Sequence, residues 1–417
     1  MNAPPQSRIR SCLVVYVGTR KLVAVLGDVT EAHPRVLRVE EQVLPPGFDK
    51  GFVCNLQHAS ATMEKLIGAL IPSEEWGQVP VYVVLGNGRV KMHRFSSCEY
   101  FASPRRTITS HEIQSVVLQT RNVATLPLTE SILQAIPESF LVNDMPSVRN
   151  PVGLEAERLG VTLQIYTLEF QSFRNIAKVF ETIDLDVEGY FPKTLPLAEA
   201  VLEDAEKEEG VLIVDIADDA THMVLWKNGM LLGSRTLACG GHYLTQSLAH
   251  DLNIEERDAA KVKEKFATLD PAEQQSDELV PLVMRNEKVQ QSIPRRDFLA
   301  SFFKHAHAWM SRILTEADGF LADEKIRHAH FVFTGGAVMT EGFLEWLQKE
   351  FSRDGRLGNA RHVDAPQEIV RDPSMAPALG MFRWVGVHER TREDFFTSQN
   401  IVGKGFAAVR DWFTNYF

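Results

Sequence analysis

Apolar residues of the chain fall into short runs that tight turns interrupt, and this pattern predicts paired β-strands. The segments LVVYVGTRKLVAVLGDV (Leu13 to Val29) and GVLIVDIADDATHMVLWKNG (Gly210 to Gly229) each predict strand, turn and strand. A third segment, FVFTGGAVMTEGF (Phe331 to Phe343), predicts a strand, a Thr-Gly-Gly turn and an amphipathic stretch. Glycines at such a turn let the backbone approach a ligand closely. The pattern therefore predicts an α/β protein in which two hairpins and a glycine turn approach one ligand.

The rest of the chain alternates helical and strand periodicity. We predict a strand pair around a Gly86-Asn87-Gly88 hairpin turn. We also predict a helix within 105–126, with Thr109 or Ser110 as its N-cap and Glu112 in its first turn. Residues 241–318 are predicted to be mostly helical, with a polar interruption near 270–277. Further helices are predicted at 55–70 and 171–183, and further strands at AIPESFLVND and LGVTLQIYTLEF.

The last residues of the chain predict a separate amphipathic helix. Six apolar side chains fall on an arc of about 100° when the segment is drawn as a helix: Val402, Phe406, Val409, Phe413, Tyr416 and Phe417. Trp412 flanks this arc, and Arg410 lies at its edge. We predict reversible membrane binding through this aromatic face; an ordinary core helix is the alternative.

Composition excludes several classes of protein. At 417 residues the chain is expected to form two or more domains. The net charge of −11 argues against broad nucleic-acid binding. Cys12, Cys54, Cys98 and Cys239 are scattered, which is typical of small buried side chains in a reducing compartment. The sequence contains no P-loop, GxSxG or HExxH motif and no zinc-ligand spacing. It has no apolar signal core at the start and no apolar run of membrane-spanning length, so we expect neither secretion nor a transmembrane helix.

A series of segments, in order along nearly the whole chain, resembles the bacterial FtsA family of cell-division proteins. The segments are YVGTRK (Tyr16 to Lys21), VYVVLGNGRV, IPESFLVND, NPVGLEAERL, VTLQIYTLEF, VDIADDATHMVLW, LACGGHYLTQSLA and VFTGGAVMTEG, followed by a linker and a short amphipathic helix. The resemblance implies an α/β, actin-like, two-lobed fold with ribonuclease-H-like halves, an FtsA-type extra subdomain and the C-terminal helix. The implied ranges are 1–78 and 169–205 for the N-terminal lobe, 79–168 for the inserted subdomain, 206–387 for the C-terminal lobe with its helical subdomain at 241–318, 388–401 for a linker and 402–417 for the membrane-binding helix.

The resemblance also implies a function in septum formation. Such a protein is a peripheral membrane protein that tethers filaments of the tubulin-like protein FtsZ to the cytoplasmic face of the inner membrane at the division site. It forms cytoskeletal filaments with itself and recruits later proteins of the divisome to the Z-ring. The C-terminal peptide of FtsZ is expected on the far lobe, and basic residues there are candidate contacts, although a solvated helical face is the alternative: Arg285, Lys288, Arg295, Arg296 and Lys304.

ATP with Mg²⁺ is the cofactor that the resemblance implies. The positions that match the nucleotide motifs of the family are Gly18, Thr19, Lys21, Asp215, Thr221, Gly240, Gly241, Lys263, Thr334, Gly335 and Gly336.

Several of these motifs have lost the residues that their chemistry needs. Tyr16 occupies the place of an aspartate that would organise Mg²⁺. The glycine-rich turn that would receive phosphate reads Ala217 to Ala220 and contains Asp218 and Asp219, which repel a triphosphate. His222 replaces a further aspartate, and Ala260 replaces an acidic contact to the nucleoside. We therefore expect weak or absent ATP binding, no catalytic residues and no turnover, unless Asp218 or Asp219 holds a metal.

Two alternatives come from other functional classes. One is a pilus-assembly scaffold of the PilM type, which shares the fold but lacks a comparable terminal anchor. The other is an active sugar or acetate-type kinase of the actin superfamily, which would need the carboxylate that Tyr16 has replaced. Binding of an FtsZ tail peptide would distinguish a tether of the FtsA type from both of these alternatives.

Overall fold

The structure, a computed structural model, describes residues 11–30, 33–101, 106–285 and 290–395. The predicted membrane-binding helix with its eight candidate residues, and Lys288 of the basic cluster, lie outside the described residues.

The chain builds two lobes and an insertion. The first part contains β1 (Ser11–Val17), β2 (Lys21–Asp28), β3 (Arg35–Val43), β4 (Phe48–Asp49), β5 (Phe52–Val53), α1 (Leu56–Gly68) and β6 (Val81–Leu85). The insertion contains β7 (Lys91–Tyr100), β8 (Arg106–Thr107), α2 (Ser110–Val123), β9 (Glu130–Val142), β10 (Met145–Val148), β11 (Glu155–Ala156) and β12 (Arg158–Glu169). The chain then returns through α3 (Phe170–Thr182), β13 (Gly189–Pro192), α4 (Thr194–Val201) and α5 (Asp204–Glu209).

The second lobe follows. It contains β14 (Val211–Ile216), β15 (Thr221–Lys227), β16 (Met230–Leu237), α6 (Gly241–Asp251), α7 (Glu256–Phe266), β17 (Leu279–Val283), β18 (Gln290–Pro294), α8 (Arg295–Asp323), β19 (His330–Thr334), α9 (Phe343–Phe351), β20 (Arg356–Leu357), α10 (Gln367–Arg371) and α11 (Ala376–Phe395). Short 3₁₀ turns occur at Ser73–Gln78, Pro271–Gln275, Gly336–Met339 and Pro373–Met375.

The central sheets of the two lobes have the same topology. Their strand orders are β3-β2-β1-β6-β13 and β16-β15-β14-β19-β20. In each, the first strand is antiparallel to the next one in sequence and parallel to the strand that follows a connection, β6 or β19. All six residues of β14 are buried, because helices or loops cover both faces of a sheet with parallel strands. This repeat is the arrangement expected of two ribonuclease-H-like halves.

The insertion forms its own four-stranded sheet, β10-β9-β12-β7, and α2 packs against it. Thr109 caps α2, and Glu112 completes a capping box with it, as the sequence predicts. The predicted hairpin around Gly86-Asn87-Gly88 is wrong. β6 pairs with β1 and β13 of the first lobe, whereas β7 pairs with β12 of the insertion. The inserted sheet therefore begins at Lys91, and β6 belongs to the first lobe although the predicted range of the insertion starts at 79.

The helical part of the second lobe consists of α6, α7 and the 29-residue α8. Between α7 and α8 lies a hairpin, β17–β18, where the sequence predicts helix. The polar interruption predicted near 270–277 is the 3₁₀ turn at Pro271–Gln275. On β17 the buried residues Val280 and Leu282 alternate with exposed ones such as Leu279 and Val283, which is the period of a strand and not of a helix.

The last described helix returns to the first lobe. α11 packs against α4, β1 and β2, and Phe382 covers Gly27 of β2. The helix continues to Phe395, so the first part of the predicted linker 388–401 is helical. In the described part of the chain, no helix combines the length and the apolar character that crossing a membrane requires.

Candidate functional site: the cleft between the lobes

A cleft of about 570 Å³ lies between the two lobes where the predicted hairpin turns face each other. The predicted nucleotide residues that line it are Gly18, Thr19, Lys21, Gly241, Lys263 and Gly336. Apolar side chains such as Leu244 and Phe302 complete one wall. The fold thus brings residues from distant parts of the sequence into one cavity.

The other predicted nucleotide residues stand behind this wall. Thr221 donates its hydroxyl proton to the Cys239 carbonyl at 2.6 Å, and Thr334 donates to the Gly358 carbonyl at 2.9 Å. Gly240 packs directly against the Ala217–Asp218 backbone. Gly335 has a φ of 90°, which favours glycine, and its backbone covers Asp215. These residues shape the turns that face the cleft.

The first hairpin turn is closed by the Gly18 amide, which donates to the Lys21 carbonyl at 3.0 Å. The Lys21 ammonium that follows it lies 3.1 Å from Glu41 and 3.3 Å from Asp372. A cation that a phosphate could use is therefore already paired with two carboxylates of the protein.

The second hairpin turn uses the amides at the start of α6. The amides of Gly241 and His242 donate to the carbonyls of Ala217 and Asp218 at 2.9 and 2.8 Å. Free amides at a helix start are a common binding site for phosphate. Here the backbone of the turn occupies two of them, so the anion site that the family motif implies is partly filled by the protein.

Two ion pairs, which we call the rim pairs, connect the lobes at the edge of the cleft. Arg20 of the first turn lies 2.6 Å from Glu264 of α7. Lys50, between β4 and β5, lies 2.9 Å from Asp219 of the second turn, and this hydrogen bond raises the pKa of Lys50. The Asp219 carboxylate that would repel a triphosphate is thus neutralised by the opposite lobe.

A third cation lies deeper on the second-lobe side. The Lys263 ammonium donates to the Gly241 carbonyl at 2.9 Å and to the Thr245 hydroxyl at 2.7 Å, which ties α7 to α6. Burial lowers the pKa of Lys263.

Tyr16 lines the cleft, and the buried side chains of Asp215 and Lys193 lie behind it; we call these three residues the floor of the cleft. Burial, together with the nearby Asp215 carboxylate, raises the pKa of Tyr16 far above its usual value, so the phenol is neutral. Its hydroxyl lies so close to Gly86 that a Cβ there would be 2.6 Å away. The Lys193 ammonium lies 2.7 Å from Oδ2 of Asp215, and the two side chains are 2% and 4% exposed.

Sequence analysis did not identify Lys193. The available signal was a lysine in the apolar stretch FPKTLP, between a strand and a helix. A buried lysine is rare unless it is paired, so such a position indicates an acidic partner somewhere in the fold.

These floor residues do not fit the Mg²⁺ that the family resemblance implies. Mg²⁺ prefers carboxylate and water oxygens in octahedral geometry. The floor offers one carboxylate, which an ammonium already contacts, and a neutral phenol. Within the described ranges, no group of three or more His, Cys, Asp or Glu residues is arranged to hold a metal ion. Asp219, which could have restored a metal site, is paired with Lys50.

His222 lies next to this floor, opposite Asp215 in the β14–β15 ladder. Its Nδ1 atom is 3.2 Å from the Thr236 hydroxyl. Burial and the nearby Lys193 ammonium hold the pKa of His222 well below its usual value. The imidazole is therefore neutral and does not replace an acidic group.

The four described basic residues of the predicted peptide-binding group are each near a carboxylate of the same lobe. Arg285 lies 3.0 Å from Glu255, Arg295 lies 3.0 Å from Glu273, and Lys304 lies 3.5 Å from Asp251. Arg296 pairs with Asp277. An acidic peptide would have to compete with these internal partners.

Comparisons with known proteins agree with this architecture. Residues 212–380 match the family model described as cell division protein FtsA, and residues 91–167 match the SHS2 domain inserted in FtsA. The cell division protein FtsA of Neisseria meningitidis serogroup B is 21% identical over 369 residues, which covers 88% of each chain.

Solved structures show the same fold. The PilM–PilN type IV pilus biogenesis complex aligns with a TM-score of 0.63 at 14% identity, over 91% of this chain and 99% of that chain. MreB 5 of Spiroplasma citri bound to AMPPNP aligns with a TM-score of 0.52 at 10% identity, over 94% and 99%. The predicted actin-like fold with an FtsA-type insertion is confirmed.

The two matched models together cover more than half of the chain, and their boundaries agree with the second lobe and with the inserted sheet that starts at Lys91. The chain belongs to the FtsA family of actin-like bacterial cell-division proteins.

Proposed function

We propose that this protein tethers FtsZ filaments to the cytoplasmic face of the inner membrane at the division site, and that it acts by binding and not by turnover. Its membership of the FtsA family supports the cell-division role. The absence of turnover is inferred from the cleft, where three ion pairs connect the lobes: Arg20–Glu264, Lys50–Asp219 and Lys193–Asp215. Filament formation and recruitment of later division proteins belong to the same proposal.

The membrane contact is assigned to residues 402–417 from their sequence. Their apolar arc provides a reversible anchor for one molecule, and a row of linked molecules binds far more tightly because the effective concentration of each next anchor is high. The domain ranges deduced from the family resemblance remain part of the proposal, except that the inserted sheet begins at Lys91 and that α11 continues to Phe395.

ATP is proposed to bind weakly and to be hydrolysed negligibly. The family resemblance and the nucleotide-bound MreB structure support a nucleotide in this cleft. Three features oppose tight binding: the neutral Tyr16, the occupied amides of α6 and the paired Lys21. If nucleotide binds, Gly18, Thr19, Gly241, Lys263 and Gly336 are the proposed contacts.

FtsZ is proposed to bind the second lobe near α8 through its C-terminal peptide. The motive is the group of basic residues Arg285, Arg295, Arg296 and Lys304 in a chain that is acidic overall. Arg296 and Lys304, both on α8, are the more exposed, so they can exchange an internal carboxylate for a carboxylate of the peptide at small cost.

A binding measurement with a labelled FtsZ tail peptide tests this function. We expect saturable binding to the full chain, and the double variant Arg296→Ala/Lys304→Ala should bind several-fold more weakly. Arg174→Ala is the matched control, because Arg174 is an equally exposed arginine on α3 of the other lobe. Absence of binding by the unaltered protein would refute the tether, and an equal loss in the control would refute the proposed surface.

A further inference from the structure

The buried Lys193–Asp215 ion pair lies beside Tyr16, which occupies the place where, by the resemblance described above, the family has the aspartate that organises Mg²⁺. Lys193 belongs to the first lobe, at the junction of β13 and α4, and Asp215 belongs to β14 of the second. The pair therefore connects the two lobes at the floor of the cleft, beneath the rim pairs.

Both oxygens of the Asp215 carboxylate are covered by the protein. Oδ2 faces the Lys193 ammonium at 2.7 Å. Oδ1 lies against Gly335, where a Cβ would come within 2.5 Å of it. A metal ion with its water shell needs open space beside a carboxylate oxygen, and this packing leaves none.

The charges of the floor are balanced without a metal. A buried carboxylate is stable only when it is paired or coordinated. Asp215 carries one negative charge, Lys193 carries one positive charge, and the phenol in place of the second acidic residue is neutral. A dication at this point would be repelled by the ammonium and attracted by only one carboxylate.

We propose that the ammonium of Lys193 replaces the divalent cation in this cleft and holds the two lobes together without metal. The two lobes then stay together with or without a ligand, and any nucleotide that enters the cleft binds without Mg²⁺. The same logic extends to the rim, where Lys50 neutralises the Asp219 carboxylate of the turn that would otherwise face a metal-bound phosphate. This inference concerns the cleft alone and does not depend on membrane or FtsZ binding.

The first test uses the unaltered full-length protein and Mn²⁺ as a spectroscopic probe for divalent cations. Electron paramagnetic resonance should detect no bound Mn²⁺ at micromolar concentrations, and millimolar MgCl₂ should leave the melting temperature unchanged with or without ATP. Stoichiometric Mn²⁺ binding that Mg²⁺ displaces would overturn the proposal.

The second test removes the internal cation. Lys193→Met keeps the length of the side chain but leaves the Asp215 carboxylate unpaired, so the melting temperature should fall by several degrees. Lys178→Met, the matched control, removes an exposed lysine of α3 outside the cleft and should lower it much less. The double variant Lys193→Met/Asp215→Asn should regain most of the loss, because neither charge remains buried alone. If Lys193→Met melts like the unaltered protein, or if the double variant is no more stable than Lys193→Met, the ammonium does not have this role. If Lys193→Met fails to fold and the double variant folds, the proposal is supported. If both variants fail to fold, the unpaired Asp215 carboxylate is not the cause of misfolding and the proposal is wrong.

Discussion

Glu130 illustrates how single charges stabilise the junction of the inserted sheet. Its carboxylate lies on β9 and accepts hydrogen bonds from Thr167 at 2.6 Å, Lys91 at 2.7 Å and His93 at 2.8 Å. Burial alone would raise the pKa of this carboxyl, but the hydrogen bonds from Lys91, Thr167 and His93 outweigh burial and lower it to about 2. The residue thus links three adjacent strands through one ionised group.

We expect Glu130→Gln to lower the free energy of unfolding at neutral pH by about 2 kcal/mol, less than the full shift implies because Lys91 is solvated. The depressed pKa gives stability that is present above the ordinary value of 4.5 and is lost as the pH falls towards 2. Urea unfolding between neutral pH and about pH 3 should therefore show the variant and the unaltered protein converging as the pH falls.

The variant Glu74→Gln, which changes an exposed glutamate, provides the control for this measurement. Glu74 lies in the 3₁₀ turn at Ser73–Gln78, away from the inserted sheet. Its unfolding curve should follow that of the unaltered protein across the same pH range. If the difference in the free energy of unfolding between Glu130→Gln and the unaltered protein stays constant with pH, the ionised carboxylate is not its cause, and the amide is simply packed differently.

The sequence reveals some residues of the cleft and conceals others for a physical reason. Tyr16, Asp218 and Asp219 stand inside recognisable hairpin motifs, so their departure from the family pattern is visible directly. Lys193, Lys50 and Glu264 act through partners on the opposite lobe. No local periodicity encodes a pairing across two separately folded sheets, and only the assembled fold brings these charges together.

At the scale of elements, two helical glycines have opposite environments. Gly380 of α11 faces the backbone of α4 so closely that a Cβ would overlap the Pro196 carbonyl. Gly319 of α8 faces open space. The same substitution should therefore have opposite effects at the two sites.

Gly380→Ala should destabilise the protein by at least about 2 kcal/mol, because α11 and α4 must separate to accept the methyl group. Gly319→Ala should stabilise it by up to about 1 kcal/mol, because alanine loses less backbone entropy in a helix. Thermal and chemical unfolding of the two variants measure both. If the two substitutions change the free energy of unfolding by the same amount and in the same direction, the contact between α11 and α4 is not close.

The terminal segment 402–417 gives a prediction from its sequence alone. Trp412→Glu/Phe413→Glu places charges in or beside the apolar arc, and their dehydration costs more than the helix gains on insertion. The variant should fail to sediment with liposomes while its melting temperature is unchanged.

Salt provides the control for this anchor. The segment has little net charge, so raising salt should weaken liposome binding of the unaltered protein only slightly. Loss of binding at moderate salt, or sedimentation of the double variant, would place the membrane contact elsewhere.

Element prediction succeeded where the hydrophobic period was long and unambiguous. The two hairpins, α1, α2 and the helices of the second lobe follow the periodicity of the sequence. It failed at β6 and β7, because a Gly-Asn-Gly turn between two strands looks the same whether they pair with each other or with different sheets. It also missed β17–β18, whose short alternating strands lie among helices.

For the whole molecule, the cleft predicts a weak response to nucleotide. A ligand at a concentration equal to its dissociation constant stabilises a protein by only about 0.4 kcal/mol. Millimolar ATP with Mg²⁺ should therefore shift the melting temperature by no more than a degree or two, and calorimetry should show no tight binding. A sub-micromolar affinity would contradict the proposed loss of the phosphate site.

The return of α11 to the first lobe determines how the molecule would carry a mechanical load. α11 follows the second lobe in sequence, yet it packs on β1, β2 and α4 of the first. The first and last elements of the described chain, β1 and α11, therefore contact each other in the first lobe. Tension between the two ends would act on the contacts of α11 with β1, β2 and α4 and would bypass the cleft, so single-molecule stretching should show α11 detaching before either central sheet unravels.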